Sequence, residues 1–556
     1  MSTPAALLPS EGVRRDPWRS GRLGWVATVD HKRIGILYLI ITLFFFLVGG
    51  VEALLMRLQL AQPNGQLLSP HSYNEVFTMH GITMIFLVVM PALIGLSNYV
   101  VPLMIGARNV AFPRLNAFSV WILLFGGLLL YYSFLAGGAP DAGWISFAPL
   151  SEIAYNVGPG PDYWALGLFV LAIGSVATAI NFIVTILRMR APGMTPGRLP
   201  LFVWVTLVSS FLILVALPVL GAVAAMLFLD RNLGTYFFQP DAGGSALLWQ
   251  HLFRAFGQPG VYIMVLPAFG IISEVIPVFS RKPIYGYAFM AASTLAIGVL
   301  CFGLWAADLL AGGLGRSMHL VVAAISMLVA IPAGVKIFNW TATLYGGSIR
   351  LTTSMLFALA FLIQFTIGGL SALMSTTVPV GWQLTGTDFM VAQLHYVLVG
   401  GTFFALMAGA YYWFPKMSGR LLSERLGRWH FWLMVIGVNT TFMVQYLLGL
   451  MGMRRRVYTY PNLPGWGALN LVSTIGAFIV ALSVLLFLVN IAWSLRRGAK
   501  AGDNPWQAWS LEWATTSPPP IHNFERVPPV TSRRPLRTLA HSGGHPRRDV
   551  GPDGSQ

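Results

Sequence analysis

The feature that most constrains this chain is a series of apolar runs, each long enough to cross a lipid bilayer. The hydrocarbon core of a bilayer is about 30 Å thick, and a helix of about 20 residues spans it. Such runs recur along the chain, and we count about twelve of them. They show no alternation of period two, which argues against a membrane β-barrel. We therefore predict an all-α fold, a polytopic membrane bundle of about twelve transmembrane helices.

Composition and charge agree with this fold class. Hydrophobic residues make up 56% of the chain and charged residues only 10%, which excludes an ordinary soluble globular protein. The net charge of +16 does not indicate nucleic-acid binding, because the basic residues lie in loops and in the C-terminal tail. They collect before the first run and in alternate loops, as the positive-inside rule requires of cytoplasmic segments. We expect a multi-pass protein of the cell inner membrane with both termini cytoplasmic.

The same patterns divide the chain into three parts. Residues 1–30 form a polar cytoplasmic lead, residues 31–500 contain the membrane helices, and residues 501–556 form a basic, Pro-rich cytoplasmic tail that we expect to be partly disordered. The one cysteine, Cys301, lies inside an apolar run, so a disulfide framework is not expected.

Two histidines inside apolar runs are the first candidates for chemistry. His395 lies in the run from Asp388 to Trp413, and Gln393 precedes it by two residues, which places the two side chains on nearly opposite helix faces. An imidazole is a good axial ligand for haem iron, whereas a neutral amide is a poor one. His80 lies in an earlier run, and a histidine within a membrane span is a functional candidate unless packing alone explains it.

Arginines at one membrane edge complete the pattern. Arg57 ends the first run, where it either snorkels to the interface or pairs with an acid group of a ligand. Arg454, Arg455 and Arg456 lie in a loop on the translocated side, where such a cluster needs an acidic partner. Two membrane histidines with arginines at one edge indicate a haem held by both imidazoles, with its propionates bound by guanidinium groups.

Long strings in the sequence then point to a family. They are VDHKRIGILY at 29–38, VPLMIGARNVAFPRLN at 101–116, LPAFGIISEVIPVFSRKPIYGY at 266–287, IPAGVKIFNWTATLYGG at 331–347, FPKMSG at 414–419 and SPPPIHNFE at 517–525. Through them the chain resembles subunit I of the haem-copper oxidases, of the cytochrome c oxidase type. The resemblance implies a twelve-helix bundle, a low-spin haem, a high-spin haem facing a copper ion, and proton channels from the cytoplasmic side.

Matched residue by residue, the resemblance implies that the low-spin haem site is kept. His80 and His395 fall on its two axial-ligand positions. Arg455 and Arg456 match the propionate-binding pair, and Arg57 matches the arginine beside this haem. We expect one low-spin haem, of type a or type b.

The oxygen-reducing centre departs from the family pattern at every metal ligand. The family's His-x-His reads Gln393-Leu394-His395 here, so the axial ligand of the high-spin haem is lost. One copper ligand is replaced by Gln258, while Tyr262 of the same motif is kept. The other two copper ligands are replaced by Ala307 and Asp308. Copper and the second haem are therefore not expected, and no catalytic residue is assigned.

The proton channels depart from the pattern as well. Asn109 replaces the family's acid at the mouth of one channel, and Gly260 replaces the acid at its end. In the other channel Lys336 is kept, but the threonine three residues earlier is Ala333. The family's His-Asp magnesium pair appears as Thr385-Gly386.

Three readings remain open. The first is an integral membrane haem protein of the respiratory chain, related to cytochrome c oxidase subunit I, that transfers electrons or supports a complex and does not reduce oxygen alone. The second is an active terminal oxidase in which Gln393, Gln258, Asp308 and Tyr262 bind a metal differently. The third is a haem-free structural subunit.

The surroundings of the chain are inferred from the same resemblance. We expect other membrane subunits of a respiratory complex as partners, resembling subunits II and III, with a cytochrome c or a cupredoxin as electron donor, and membrane lipid. Within the vacated metal pocket we expect Arg254 to pair with Asp308, because an unpaired charge there is costly. The alternative is that Arg254 snorkels outward.

Overall fold

The computed structural model describes residues 23–311, 321, 323–324 and 326–541, without the side chains of residues 304–311 and a few others. Within these ranges the chain is almost entirely helical, and its β-structure is limited to two isolated bridges.

Twelve long apolar helices account for most of the described chain. Eleven are long and apolar enough to cross a membrane, and the described apolar part of the remaining one, Tyr287–Gly303, is shorter. The predicted all-α membrane bundle is therefore confirmed. The helices are α1 (His31–Gln59), α2 (Pro70–Met104), α3 (Pro113–Tyr132), α4 (Gly160–Arg188), α5 (Leu201–Leu233), α6 (Ala246–Ser280), α7 (Tyr287–Ala311), α8 (Ser326–Leu344), α9 (Thr353–Thr376), α10 (Asp388–Ser418), α11 (Glu424–Leu450) and α12 (Trp466–Arg497).

Helices that follow one another in the chain pack side by side, as short connections favour. The pairs α1–α2, α3–α4, α4–α5, α5–α6, α9–α10, α10–α11 and α11–α12 all pack in this way, and α1 also packs on α12. Small residues allow the closest approaches. A Cβ atom on Gly35 of α1 would lie 2.8 Å from the carbonyl oxygen of Gly95 on α2, so only glycine permits this distance.

Two of these helices are interrupted by a π-helical segment. In α2 the segment is Thr83–Val89, and in α10 it is Leu398–Phe403. Each segment begins three residues after a candidate haem ligand, His80 in α2 and His395 in α10. Such π segments widen the helix locally and often occur at functional sites.

The start of α1 and the C-terminal tail lie at the same end of the bundle. The ammonium group of Lys32 donates to Asn523 Oδ1 at 2.9 Å and to the carbonyl oxygen of Ile521 at 3.1 Å. Lys416, at the end of α10, donates to the carbonyl oxygens of Asp503 at 3.0 Å and Thr515 at 2.7 Å. We call this end of the molecule, covered by residues 501–541, the tail face.

The Lys416 contacts give the first testable prediction. The side chain is fully buried, and Lys416→Met keeps its length but removes the charged donor from both carbonyl oxygens, of which that of Asp503 still accepts from the Ser517 hydroxyl group. We expect a loss of about 3 kcal/mol in stability and faster proteolysis of residues 501–541, because hydrogen bonds from a charged donor are the stronger ones.

Thermal unfolding and limited proteolysis of the purified chain measure both effects. Lys500→Met is the matched control, because Lys500 is exposed and its bridge to Arg420 is made by the backbone. Equal behaviour of the two variants would contradict the prediction.

Candidate haem site

Both candidate haem ligands are oriented by a main-chain carbonyl group. Nδ1 of His80 donates to the carbonyl oxygen of Gly49 on α1 at 2.9 Å. Nδ1 of His395 donates to the carbonyl oxygen of Val391, one turn earlier in α10, at 2.7 Å. A carbonyl oxygen can only accept, so the proton of each neutral imidazole lies on Nδ1.

The other ring nitrogen of each histidine is therefore available. With the proton on Nδ1, Nε2 keeps its lone pair, which is the form that binds a metal. In the described part of the chain neither Nε2 has a hydrogen-bond partner. Both side chains lie deep in the bundle and yet remain partly accessible, so each one borders an internal space.

The helices leave room between these two imidazoles. The first part of α2 packs on α1, and the first part of α10 packs on α9 and α11, but these two segments do not pack extensively on each other. His80 and His395 still lie close enough to interact electrostatically. One face of the His395 ring stacks on Phe442 of α11, with the ring centres 4.3 Å apart. The two side chains therefore lie in the same region of the bundle.

Arg57 is anchored at one end of this region. Its Nη2 atom donates to the carbonyl oxygen of Asn470 at 2.9 Å and to the side-chain oxygens of Asn470 and Thr474 on α12, at 3.1 and 3.4 Å. The charge of Asp388, at the start of α10, also acts on it. Its Nε atom is buried and has no partner among the described residues. These contacts hold the guanidinium group in place rather than at the lipid interface.

The loop that carries Arg455 and Arg456 is tied to the start of α10. The Arg455 amide donates to the carbonyl oxygen of Gly386 at 3.1 Å, and the Asp388 amide donates to that of Met453 at 3.0 Å. Burial lowers the pKa of both arginines, and Arg455 lowers that of Arg456 further. No carboxylate of the described residues forms an ion pair with either one. An acidic ligand would supply the missing partner.

On the other face of α10, Gln393 is engaged by a neighbouring helix. Its Oε1 atom accepts from the hydroxyl group of Ser375 on α9 at 3.0 Å. His395 contacts α11 instead, through Phe442. The two side chains therefore face different neighbours, in agreement with their spacing of two residues.

Aromatic packing surrounds the position of Gly260 on α6. A Cβ atom on Gly260 would lie 3.2 Å from the ring of Phe256, which itself stacks on Phe86 of α2 with the ring centres 5.4 Å apart. Phe256 also contacts Phe253, which continues the row toward Trp249. The place where the family has the acid of a proton channel is therefore next to apolar rings.

Two further channel positions have their polar atoms engaged. The ammonium group of Lys336 donates to the carbonyl oxygen of Met290 at 2.9 Å and to the hydroxyl oxygen of Thr294 at 2.6 Å, both on α7. Asn109 donates to the carbonyl oxygen of Val29 at 3.1 Å and accepts from the amide of Val110 at 2.8 Å.

The remaining predicted site residues lie partly outside the described part of the chain. Ala307 and Asp308 belong to α7, but their side chains are not among the described ones. The pairing of Arg254 with Asp308 therefore stays a prediction. Tyr262 is half-buried and packs against the hydrophobic core.

Sequence reasoning missed another membrane histidine, His430 on α11. Its Nδ1 atom lies 3.1 Å from the hydroxyl oxygen of Tyr411, and its ring centre lies 4.9 Å from those of both Phe357 and Phe487. Its position inside an apolar run gave the same signal as that of His80. The structure explains it by packing, because the side chain is fully buried among aromatic rings.

Sequence reasoning also missed the supports of the candidate haem site. These are the Gly49 carbonyl group, Asp388, Phe442, and the pair Asn470 and Thr474. The acidic residue at the start of α10 was visible in the sequence, but only the fold brings it near Arg57.

Comparisons with known proteins identify the family of the chain. The family described as Cytochrome C and Quinol oxidase polypeptide I matches residues 33–479. Cytochrome c oxidase subunit 1 of Bacillus subtilis (strain 168) is 50% identical over 524 residues, which cover 94% of this chain and 83% of that protein. Quinol oxidase subunit 1 of Bacillus spizizenii (strain ATCC 23059 / NRRL B-14472 / W23) is 47% identical over 512 residues, covering 92% and 79%.

A solved structure shares the fold. A chain of a heme-copper terminal oxidase dimer, determined by cryo-EM, has a TM-score of 0.74 with 16% sequence identity, and the match covers 84% of each chain. At this identity the likeness shows the fold alone. The family match and the close relatives show more: the chain belongs to the subunit I family of the haem-copper oxidases, the multi-pass membrane subunits of cytochrome c and quinol oxidases in respiration.

Proposed function

We propose that this subunit binds one low-spin haem, of type a or type b, between His80 and His395, and that it has lost the centre that reduces oxygen. The supporting observation is the matched pair of imidazoles, each held through Nδ1 by a carbonyl group and each with an Nε2 atom that meets no hydrogen-bond partner among the described residues. A haem with two imidazole ligands transfers one electron at a time and has no open position for oxygen.

The arginines fit the acid groups of such a haem. Arg455 and Arg456 have no carboxylate partner among the described residues, and the backbone holds their loop against α10. A guanidinium group binds a carboxylate well because its donors match the two oxygens. Arg57 keeps a buried Nε–H group available after its Nη2 atom has bonded to α12.

The loss of the oxygen centre is proposed from the replaced ligands. Gln393, Gln258, Ala307 and Asp308 stand where the family has histidine, and amide and carboxylate oxygens are poor ligands for a copper that alternates between Cu(I) and Cu(II). Gln393 is already bonded to Ser375.

The proton pathways are proposed to be lost with this centre. Gly260 brings no acid to the end of one channel and is packed against an aromatic ring. The retained Lys336 is bonded to α7.

This subunit would then carry electrons within a respiratory complex or hold its other subunits. Family members work with other oxidase subunits. The proposed partners resemble subunits II and III, and the proposed donor is a cytochrome c or a cupredoxin. The tail face is proposed to be cytoplasmic, because the basic loops that follow the positive-inside rule lie at the same helix ends.

A second function is supported by the relatives. A chain that is 50% identical to a cytochrome c oxidase subunit 1 could keep oxidase activity with a metal bound by Gln393, Gln258, Asp308 and Tyr262. A haem-free structural subunit is the third possibility.

Cofactor content and gas binding separate these functions. For the purified full-length subunit we expect one haem and no copper per chain, and a reduced low-spin spectrum that carbon monoxide does not change, because both axial positions are taken by imidazole. Metal analysis, haem extraction and optical difference spectra measure these quantities. Bound copper with a carbon monoxide complex would support the oxidase, and a chain without haem would support the structural subunit.

The ligand assignment is tested by single replacements. His80→Ala and His395→Ala should each abolish the low-spin spectrum and reduce haem content by at least about tenfold, because an iron–imidazole bond is lost in each. His71→Ala is the control, since His71 is an exposed histidine on the same helix as His80. Circular dichroism would check that the helices are kept. Unchanged spectra in either variant would refute the assignment.

The propionate contacts are tested by redox potential. Arg456→Gln removes one positive charge near the proposed propionates, which should lower the haem midpoint potential by about 50–100 mV, because the reduced haem loses favourable electrostatic interaction. Spectroelectrochemical titration measures this shift. The neighbouring Arg454→Gln removes the same charge from an arginine of the same loop that is not one of the proposed propionate-binding pair, and it should shift the potential much less. Equal shifts would contradict a specific contact.

A further inference from the structure

A cavity of about 780 Å³ opens on the tail face, away from the candidate haem site. It lies between the start of α5, the end of α6 and the tail around residues 509–538. Its wall includes the apolar side chains of Leu201, Pro277 and Ile284. Its rim includes three arginines within five residues, Arg533, Arg534 and Arg537.

Aromatic rings hold these arginines at the rim. The Arg533 guanidinium carbon lies 4.0 Å from the centre of the Tyr287 ring, and those of Arg534 and Arg537 lie 5.6 and 5.3 Å from the Trp509 ring. Arg533 Nε also donates to the carbonyl oxygen of Gly197 at 2.8 Å. Such contacts fix guanidinium groups without neutralising them.

The nearby acid does not pair with Arg533 or Arg534. Burial, together with the charges of Arg537 and Arg533, lowers the pKa of Arg534. In the described chain no carboxylate forms an ion pair with Arg533 or Arg534. Glu274 lines the cavity, but its Oε1 atom accepts from the amide of Phe202 at 3.2 Å, in the first turn of α5. The carboxyl group is thereby engaged at the N-terminus of α5.

The cavity therefore combines clustered cations with an apolar wall at the level where membrane helices end. Guanidinium groups match the geometry of a phosphate. The cavity volume is within the range of cavities that bind small organic molecules, and it is much larger than the volume of a phosphate ion. The apolar wall belongs to the start of α5, the end of α6 and the connection from α6 to α7, so it lies at the ends of membrane spans.

We propose that this cavity binds the headgroup of an anionic phospholipid, with its phosphate at Arg533, Arg534 and Arg537 and its glycerol and first acyl carbons against the apolar wall. A soluble phosphate compound would use the arginines but would leave the apolar wall without a partner. The bound lipid would connect the tail to α5 and α6. This proposal does not depend on the haem assignment.

Native mass spectrometry of the full-length chain in detergent tests the site. Dioleoyl phosphatidylglycerol should bind at least about tenfold more tightly than dioleoyl phosphatidylcholine, because the phosphatidylcholine headgroup carries no net charge. The triple variant Arg533→Gln, Arg534→Gln, Arg537→Gln should lose this preference. A matched triple variant, Arg428→Gln, Arg496→Gln, Arg497→Gln, removes the same charge from exposed arginines outside the cavity lining and should keep it.

A second variant tests the apolar wall independently. Ile284→Trp fills part of the cavity without changing its charge, and it should weaken phosphatidylglycerol binding several-fold even if the triple arginine variant does not fold. Glycerol 3-phosphate and ATP are added as competitors and should displace the lipid only at far higher concentrations. The proposal is overturned if Ile284→Trp binds the lipid as the parent chain does, if phosphatidylcholine binds equally well, or if a soluble phosphate competes as strongly as the lipid.

Discussion

A polar group inside a membrane bundle must find its partner within the protein, because the bilayer offers no water. The buried cations of this chain obey that requirement. Lys336 and Lys416 donate to carbonyl groups of neighbouring segments. Arg231 on α5 pairs with Asp162 at 2.8 Å and donates to three carbonyl oxygens of the loop between α3 and α4. Against this background, a deep histidine nitrogen that has no partner and whose side chain is still partly accessible is a candidate position for a ligand.

The histidines illustrate the distinction. His31 uses both ring nitrogens, Nδ1 near the carbonyl oxygen of Asn98 and Nε2 near the side chain of Asn523, so it joins α1 to the tail. His430 is enclosed by aromatic rings. His80 and His395 differ from His31 because one nitrogen has no described hydrogen-bond partner, and they differ from His430, whose Nε2 atom also lacks a partner, because their side chains remain partly accessible. That combination suits a metal ligand whose orientation is set by the protein.

The features of the fold that depend on the periodicity and length of apolar runs were predictable from the sequence. The helices follow from apolar runs, and the spacing of Gln393 and His395 was sufficient to assign them to different faces. What depends on tertiary packing was not predictable. The π segments after His80 and His395 arise where helices adapt to their neighbours, and propensity does not encode them. The bond from Arg57 to Asn470 joins residues 413 positions apart, which no local pattern reveals.

Two positions where the chain departs from the family pattern, Gly260 on α6 and Gln393 on α10, are accommodated by the surrounding structure. A deleted acid or imidazole leaves a cavity and unpaired neighbours, and both destabilise a packed core. Here the Phe256 ring packs beside Gly260, and Ser375 bonds to Gln393. On the haem side, by contrast, Nε2 of His80, Nε2 of His395 and Nε of Arg57 have no partner among the described residues. A ligand between the two histidines would supply one, which supports the proposal of a haem there.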